Sequence, residues 1–385
     1  MYTVHTLNKI SQNGLALLGD AYKVSDELNN ADAILVRSAK MHDLVLPESV
    51  KAVARAGAGV NNIPIEAYAE KGIVVFNTPG ANANAVKELV LCGLLLASRK
   101  VVDGINWAKT LESDVAKTVE KGKGAFGGGE ILGKKLGVIG LGAIGVMVAN
   151  AAQALGMEVI GYDPYISVDA AWGLSRHIKH ANTLDEIYAE ADYITVHVPL
   201  LDSTKHMLNK EAFDKMKTGV AVLNFSRDTL VQNEDMKVAI AEGKIAKYVT
   251  DFPVEDVLNQ ENIIAIPHLG ASTEESEENC AVMAVKEIKD YLEQGNITHS
   301  VNFPECSMIW NTSARLAIAH KNTPAILGKI TAIIAEQGIN IQDMTNRSRG
   351  DYAYTLIDTD TSISEEDIQR IESVDNVIKV RILTK

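Results

Sequence analysis

The sequence predicts an α/β protein with two doubly wound parallel-sheet domains and a smaller C-terminal unit. Short apolar runs alternate with helical segments as far as about residue 268, which is typical of parallel strands covered by helices on both faces. About 70 residues at the C-terminal end follow a different order, strand–helix–strand–strand–helix–strand. A chain of 385 residues is also too long for one ordinary hydrophobic core.

The first domain is predicted from three apolar runs that indicate buried strands, at residues 31–37, 51–56 and 73–77. Helical segments such as residues 65–71 separate them. Two longer helical stretches, residues 84–100 and 273–294, flank the second domain in the sequence. We therefore expect the chain to leave the first domain, build the second and return. The expected bounds are residues 1–95 with 282–303 for the first domain and residues 96–281 for the second.

The second domain opens with a strand–turn–helix segment, from Leu136 to Val148, that contains three spaced glycines. Gly140 permits a tight turn, Gly142 lets a pyrophosphate lie against bare backbone, and Gly145 lets the helix pack close to the strand. Asp163 follows the next predicted strand, where a carboxylate accepts hydrogen bonds from ribose hydroxyls and repels an added 2′-phosphate. This pattern predicts NAD rather than NADP; the alternative is an ordinary glycine-rich turn.

The strands of this domain are predicted at residues 136–139, 158–161, 193–196, 220–224, 247–250 and 263–266. A polar segment follows each of the last three. Arg227, Glu255 and His268 come after three of these strands. Each has an ordinary interpretation, as a solvated arginine, a loop charge or a turn histidine. Because ligands bind at the carboxyl ends of strands in open α/β sheets, the three together favour a functional site.

The C-terminal unit is predicted at residues 314–385, after a polar linker at 304–313. Arg349, Gly350 and Asp351 supply the turn between its two middle strands. Its strands are expected at 314–320, 339–346, 352–358 and 377–383, and its helices at 324–337 and 364–373.

The composition limits the binding partners and the cellular compartment that we expect for this protein. The net charge of −13 argues against nucleic acid and against anionic membranes. The three cysteines, Cys92, Cys280 and Cys306, have no metal-ligand spacing, so we expect no metal and a reducing cytoplasm. The N-terminus lacks the pattern of a secretion signal, and the apolar run 89–97 is too short to span a bilayer.

These segments together resemble the D-isomer-specific 2-hydroxyacid dehydrogenase family, and within it the members that oxidise 3-phosphoglycerate and carry a C-terminal ACT domain. The resemblance covers essentially the whole chain. The matching stretches are residues 55–62, 77–79, 140–145, 161–164, 224–227 and 267–273. It implies a flavodoxin-like substrate-binding domain, a Rossmann domain for NAD and a ferredoxin-like ACT regulatory domain.

The resemblance implies NAD-dependent oxidation of D-3-phosphoglycerate to 3-phosphohydroxypyruvate, the first step of L-serine biosynthesis. Arg227 would bind the substrate carboxylate, His268 would accept the hydroxyl proton, and Glu255 would hold the imidazole. Which acid supports His268 stays open, because Asp256 is adjacent and the loop 251–255 is one residue shorter than the family pattern.

Further binding residues are implied by the same resemblance. Those for NAD are Gly140, Gly142, Ala143, Ile144, Gly145, Asp163, His197, Val198, Pro199, Thr204, Phe225, Ser226, Asp251, His268 and Gly270. Those for the substrate are Arg37, Ser38, Arg55, Ala58, Gly59, Val60, Asn82 and Arg227, of which Arg37, Ser38 and Arg55 would meet the 3-phosphate. Those for an L-serine effector are His320, Asn322 and Asn340.

Three alternatives remain open at this point. The chain could be another D-2-hydroxyacid dehydrogenase, such as a glyoxylate or hydroxypyruvate reductase, or an NAD-sensing binding protein. The C-terminal unit could serve only to join subunits. We expect a homodimer or homotetramer, because the helices that flank the nucleotide domain pair across a two-fold axis in relatives.

Overall fold

The computed structural model describes residues 1–384, and it divides into two compact units. One unit contains Met1–Asn82 together with the chain from Glu277 onward, and the other contains Ala83–Ser276. The domain boundaries that the sequence predicts, at 95/96 and 281/282, lie inside two long helices, Ala83–Ser98 and Glu274–Gln294.

The N-terminal segment forms a five-stranded parallel sheet of order β2-β1-β3-β4-β5. Its strands are β1 (Tyr2–Thr6), β2 (Tyr22–Ser25), β3 (Ala33–Val36), β4 (Ala52–Arg55) and β5 (Val74–Phe76), and its helices are α1 (Gln12–Leu15) and α2 (Ile65–Glu70), with a 3₁₀ turn at Ala16–Leu18. The strand order reverses between β1 and β3, as in flavodoxin-like sheets. Strands β3 and β5 are entirely buried, which explains their uninterrupted apolar sequences.

The second unit is built on a seven-stranded parallel sheet of order β12-β11-β10-β9-β6-β7-β8. Its strands are β6 (Lys135–Ile139), β7 (Glu158–Tyr162), β8 (Lys179–His180), β9 (Tyr193–Val196), β10 (Val220–Asn224), β11 (Ile245–Thr250) and β12 (Ile263–Ala265). Its helices are α3 (Ala83–Ser98), α4 (Val101–Ala108), α5 (Val115–Gly122), α6 (Ala143–Ala154), α7 (Val168–Trp172), α8 (Leu184–Glu190), α9 (Lys210–Lys215) and α10 (Asn233–Ala241), with 3₁₀ turns at Lys123–Phe126 and Asp228–Leu230.

Helix α3 belongs to the core of this second unit. Val86, Val90 and Leu94 are buried in one apolar cluster with residues of β6 and β10. A Cβ atom added at Gly93 would lie 2.8 Å from the Phe225 ring, so the glycine allows this close packing.

Helix α11 (Glu274–Gln294) leads back to the first unit and to a four-stranded antiparallel sheet of order β14-β15-β13-β16. The elements are β13 (Ala314–Lys321), α12 (Ile326–Glu336), β14 (Ile341–Arg349), β15 (Tyr352–Thr359), α13 (Glu365–Glu372) and β16 (Val377–Thr384). This confirms the predicted α/β fold class with its βαββαβ unit. Gly350 in the β14–β15 turn has φ +57°, a conformation that glycine adopts without strain.

The C-terminal sheet packs against the rest of its unit and is not joined to it by the linker alone. Ala317, Tyr354 and Leu383 share a buried cluster with Ile288 and Tyr291 of α11. The predicted linker 304–313 contains no helix or strand, but Cys306 and Trp310 are buried and Cys306 pairs with Ile297 in an antiparallel bridge. Within residues 1–384, no helix has the length and apolar character that a membrane span requires.

Candidate active site

The turn after β6 depends on two of the three predicted glycines. Gly140 has φ +90°, and a Cβ atom there would lie 2.4 Å from the carbonyl oxygen of His197, at the end of β9. A Cβ atom at Gly145 would lie 1.9 Å from the carbonyl oxygen of Gly140. These contacts hold helix α6 against the point where the strand order of the sheet reverses, which is where dinucleotides bind in such sheets.

The surroundings of Gly142 fit a pyrophosphate group. Apart from the adjoining backbone, no atom lies within 4 Å of a Cβ atom built on Gly142, so the backbone there borders open space. Gly142 is the N-cap of α6 and offers no side chain to the first helical amides. The amides of Ala143 and Ile144 therefore face this space as donors at the positive end of the helix dipole.

Asp163 and His197 are two further residues that the resemblance assigns to NAD. Asp163 follows β7, and its two carboxylate oxygens accept hydrogen bonds from the backbone N–H groups of Leu141 and Tyr165, both at 2.8 Å. Burial lowers the pKa of His197 to about 4, so its imidazole is neutral at physiological pH. Its Nδ1 is buried and has no partner among residues 1–384.

The backbone around Arg227 is fixed by a buried asparagine. The Asn224 amide donates to the carbonyl oxygen of Arg227 at 2.8 Å, and its Oδ1 accepts from the N–H of Ser226 at 3.2 Å. The Ser226 hydroxyl donates to the carbonyl oxygen of Val196 at 2.7 Å. The exposed Arg227 side chain donates from Nη1 to the Ser226 carbonyl oxygen at 2.6 Å. Phe225, which the sequence assigned to NAD, is buried against Gly93.

Asp251 is a carboxylate within electrostatic range of His268. Burial raises the pKa of Asp251, and the charges of His268 and Arg227 act on it in the opposite direction. Its Oδ2 accepts a hydrogen bond from the N–H of Gly270 at 3.2 Å, whereas its buried Oδ1 has no partner in the described chain. The His268 ring also lies 4.9 Å from the Phe252 ring, centroid to centroid.

The structure does not pair Glu255 with His268. Glu255 is exposed in the loop after β11, and no hydrogen bond or ion pair within residues 1–384 joins it to the imidazole. The predicted support of His268 by Glu255 therefore stays a prediction. The Thr204 hydroxyl, predicted to contact NAD, donates to the carbonyl oxygen of Pro199 at 2.7 Å and so shapes the loop after β9.

In the first unit, the predicted phosphate ligands are already engaged with protein groups. Arg55 donates from Nε to the carbonyl oxygen of Arg37 at 2.9 Å and from Nη1 to that of Gly59. Arg37 forms an ion pair with Glu277, and the N–H of Ser38 donates to Oδ1 of Asn8 at 3.1 Å. Asn8 was not predicted; its position just after β1 is the only sequence signal for it.

The loop that follows β4 presents unpaired donors. The backbone N–H groups of Ala58, Gly59 and Val60 donate to no group within residues 1–384. The Asn77 amide supports this loop by donating to the carbonyl oxygen of Ala58 at 2.6 Å. Three adjacent free amides are suited to a carboxylate. Asn82, also predicted for the substrate, ends the first segment of this unit and is half-buried.

The three predicted effector residues do not meet within one chain. His320 is buried, its Nδ1 donates to the carbonyl oxygen of Lys321 at 2.8 Å, and its Nε2 lies 2.8 Å from the Thr355 hydroxyl. Asn322 donates to the carbonyl oxygen of Gly350 at 3.1 Å. Asn340 precedes the first residue of β14, at the opposite end of the sheet, about 20 Å away along the strands.

Comparisons with known proteins agree with this geometry. Residues 92–270 match the family model described as the D-isomer specific 2-hydroxyacid dehydrogenase, NAD binding domain. The chain is 32% identical over 337 residues to the D-3-phosphoglycerate dehydrogenase of Haemophilus influenzae, covering 84% of this chain and 79% of that protein. It is 32% identical over 349 residues to the D-3-phosphoglycerate dehydrogenase of Escherichia coli strain K12, covering 87% and 82%.

Solved structures give the same result. An NAD⁺-bound 3-phosphoglycerate dehydrogenase from Entamoeba histolytica superposes with a TM-score of 0.60 at 27% identity, over 78% of this chain and 98% of that one. A glyoxylate reductase from Paecilomyes thermophila superposes with a TM-score of 0.64 at 24% identity, over 78% and 98%, which supports the fold alone.

Proposed function

This chain belongs to the D-isomer-specific 2-hydroxyacid dehydrogenase family, and from that premise we propose that it oxidises D-3-phosphoglycerate to 3-phosphohydroxypyruvate. It is an NAD-dependent oxidoreductase. The observation that carries the proposal is the common location of Arg227, Asp251 and His268. They follow the adjacent parallel strands β10, β11 and β12, and the charges of Arg227 and His268 both act on the Asp251 carboxyl.

Arg227 binds the substrate carboxylate, because its planar guanidinium matches both carboxylate oxygens. In the first unit, the free backbone amides of Ala58, Gly59 and Val60 are donors suited to a substrate carboxylate. His268 accepts the proton of the C2 hydroxyl in the oxidation direction and returns it in the reduction direction, and general-base catalysis of this kind contributes about 10²–10⁴ in rate. Asp251 stabilises the imidazolium that forms, and Glu255 remains the partner that the family pattern predicts.

When bound, NAD would supply the acceptor for the hydride that leaves C2. Gly142, Ala143 and Ile144 would hold its pyrophosphate, and Asp163 would accept hydrogen bonds from its ribose hydroxyls. The carboxylate of Asp163 also disfavours a 2′-phosphate, because the two anions would meet at short range.

Arg37 and Ser38 are proposed to receive the 3-phosphate. Arg37 is about two-fifths exposed, and a phosphate dianion competes with Glu277 for its guanidinium. Arg55 organises the loop that carries Gly59 rather than presenting all of its donors to substrate. A glyoxylate or hydroxypyruvate reductase would not need the Arg37 group, and an NAD-sensing protein would not need both Arg227 and His268.

The C-terminal unit is proposed to bind L-serine between two copies of the chain. Asn322 and Asn340 lie at opposite ends of one sheet, so a single copy does not assemble the predicted set. Titration calorimetry with L-serine should show binding, and a lack of both heat and any effect on rate would leave this unit a subunit contact only.

Two other features support the oligomeric state and the cellular compartment that we propose. Helices α3 to α5 expose Leu95, Val101, Ile105 and Val115, each close to half, which suits a homodimer or homotetramer. Light scattering would report the mass. No disulfide forms within residues 1–384, in keeping with the cytoplasm that we propose.

The activity is tested by following NAD reduction with D-3-phosphoglycerate as substrate. Wild-type protein should produce NADH, and Arg227→Lys should keep NAD binding while losing about 10²-fold in kcat/KM, since a charge remains but the fork does not. Protein that binds NAD and gives no NADH with this substrate would contradict the proposal.

A further inference from the structure

We propose that Arg349 of the C-terminal sheet is a positioning residue for the substrate-carboxylate loop, Gly57–Val60. This inference rests on the proposed function of that loop. Arg349 lies at the end of β14 and donates from Nη1 to the carbonyl oxygen of Ser300 at 2.9 Å. All the groups in the connection belong to the same compact unit.

Ser300 lies in a segment that extends the first sheet. Residues 299–302 run along the edge strand β5: Ser300 pairs with Phe76 in an antiparallel bridge, and the N–H of Val301 donates to the carbonyl oxygen of Val75 at 2.9 Å. The buried Asn302 side chain accepts from the N–H of Val75 and donates to the carbonyl oxygen of Ile73, both at 2.9 Å. The segment therefore behaves as an additional strand that fixes β5.

The residues after β5 hold the substrate loop. The N–H of Asn77 donates to the carbonyl oxygen of His299 at 3.3 Å, and the Asn77 amide donates to the carbonyl oxygen of Ala58 at 2.6 Å. The N–H of Thr78 donates to the carbonyl oxygen of Gly57 at 3.2 Å. A shift of residues 299–302 therefore moves the backbone whose free amides are proposed to bind the substrate.

Arg349 also adjoins the proposed effector end of the C-terminal unit. It precedes Gly350, whose carbonyl oxygen accepts from the Asn322 amide at 3.1 Å. One side chain thus lies between the β14–β15 turn and the segment that supports the loop. The side chain of Arg347, two residues earlier on the same strand, is exposed and forms no hydrogen bond or ion pair within residues 1–384, so Arg347 serves as a matched control.

The expected effect of Arg349→Ala is a rise of about three- to tenfold in KM for the 2-oxo acid, the size seen at positions that are coupled to a site without touching it. The KM for NADH and kcat should change less than twofold. Arg349→Lys should restore part of the loss because it keeps a charged donor, and Arg347→Ala should match wild type. Arg349→Ala combined with Asn77→Ala should be less than additive, since both act through one connection.

Hydrogen exchange of the backbone amides of residues 56–62 in the free enzyme tests the same connection and does not depend on enzyme turnover. Faster exchange in Arg349→Ala than in Arg347→Ala, with equal melting temperatures, supports the proposal. Equal exchange and equal KM in the two variants would overturn it. If wild type does not turn over the 2-oxo acid but exchange still differs, the proposed function fails while the connection through Arg349 holds.

Discussion

The carboxylate of Asp251 is fastened to the backbone N–H of Gly270, at 3.2 Å, so the end of β11 is tied to the loop that carries His268. We predict that Asp251→Asn, which keeps an oxygen for Gly270 and loses the charge, lowers kcat/KM for reduction by about tenfold or more. Reduction needs protonated His268, and that form loses its neighbouring anion. The fall of the reduction rate at high pH should therefore begin at lower pH, as a pH–rate profile would show.

A comparison of Glu255→Gln with Asp251→Asn identifies the carboxylate that supports His268. Because Glu255 is exposed and forms no hydrogen bond or ion pair with His268 within residues 1–384, we expect this variant to move the pH–rate profile less than Asp251→Asn does. A larger shift in Glu255→Gln would return the role to the residue that the family pattern predicts.

The glycine turn predicts opposite outcomes for two small substitutions. Gly142→Ala should fold normally, since its methyl group meets no atom within 4 Å, but should weaken NAD binding by about tenfold or more because the methyl occupies the pyrophosphate space. Gly145→Ala should destabilise the unit itself, because its methyl would overlap the Gly140 carbonyl oxygen. Calorimetric titration with NAD and thermal melting separate the two effects. Normal NAD affinity in Gly142→Ala would contradict this location of the pyrophosphate.

Asp163 should set the preference for NAD over NADP. Repulsion of a 2′-phosphate at about 4 Å is worth roughly 1 kcal/mol in water and about 4 kcal/mol at an effective dielectric of 20. Asp163→Asn preserves the acceptor for one backbone N–H and removes the charge, so the ratio of kcat/KM for NAD to that for NADP should fall at least fivefold. An unchanged ratio would show that another group excludes the phosphate.

Glu287 should make stability depend on pH. Burial raises the pKa of this carboxyl from 4.5 to about 9, and its Oε1 lies 2.9 Å from Nδ1 of His299. The folded state therefore keeps a proton that the unfolded state releases above about pH 4.5. The stabilisation is complete below that pH and is lost as the pH rises toward 9, at up to about 1.4 kcal/mol per pH unit.

Urea unfolding at pH 5, 7 and 9 compares wild type with Glu287→Gln. The wild-type free energy of unfolding should decrease with pH more steeply than that of the variant, and Glu305→Gln, an exposed acid in the same region, should follow wild type. Parallel curves for wild type and Glu287→Gln would contradict the raised pKa.

The fold could be predicted where local sequence and tertiary structure agree. Leu136–Ile139 is apolar because β6 is buried, and Gly140 and Gly145 are glycines because neighbouring carbonyl oxygens leave no room for a Cβ atom. Strands β1 and β2 were not predicted, because Tyr2–Thr6 and Tyr22–Ser25 mix polar and apolar residues and lie toward one edge of the sheet.

The candidate site was predictable in its residue types but not in its contacts. Arg55 was expected to meet the 3-phosphate because it is a donor at the end of a predicted strand, yet its guanidinium donates to the carbonyl oxygens of Arg37 and Gly59. The burial of His320 likewise depends on Thr355, 35 residues away in sequence. Hydrogen bonds between residues far apart in sequence, such as those from Arg55 to Arg37 and between His320 and Thr355, leave no pattern in the local sequence.

The most direct measurement is NADH oxidation with 3-phosphohydroxypyruvate compared with hydroxypyruvate, which differs only by the phosphate, and with glyoxylate. If Arg37 and Ser38 bind the phosphate while Arg227 and His268 act on the 2-oxo acid, kcat/KM for the phosphorylated substrate should be higher by about 10- to 100-fold, the value of one charge-assisted contact. Equal or faster turnover of hydroxypyruvate or glyoxylate would contradict the account.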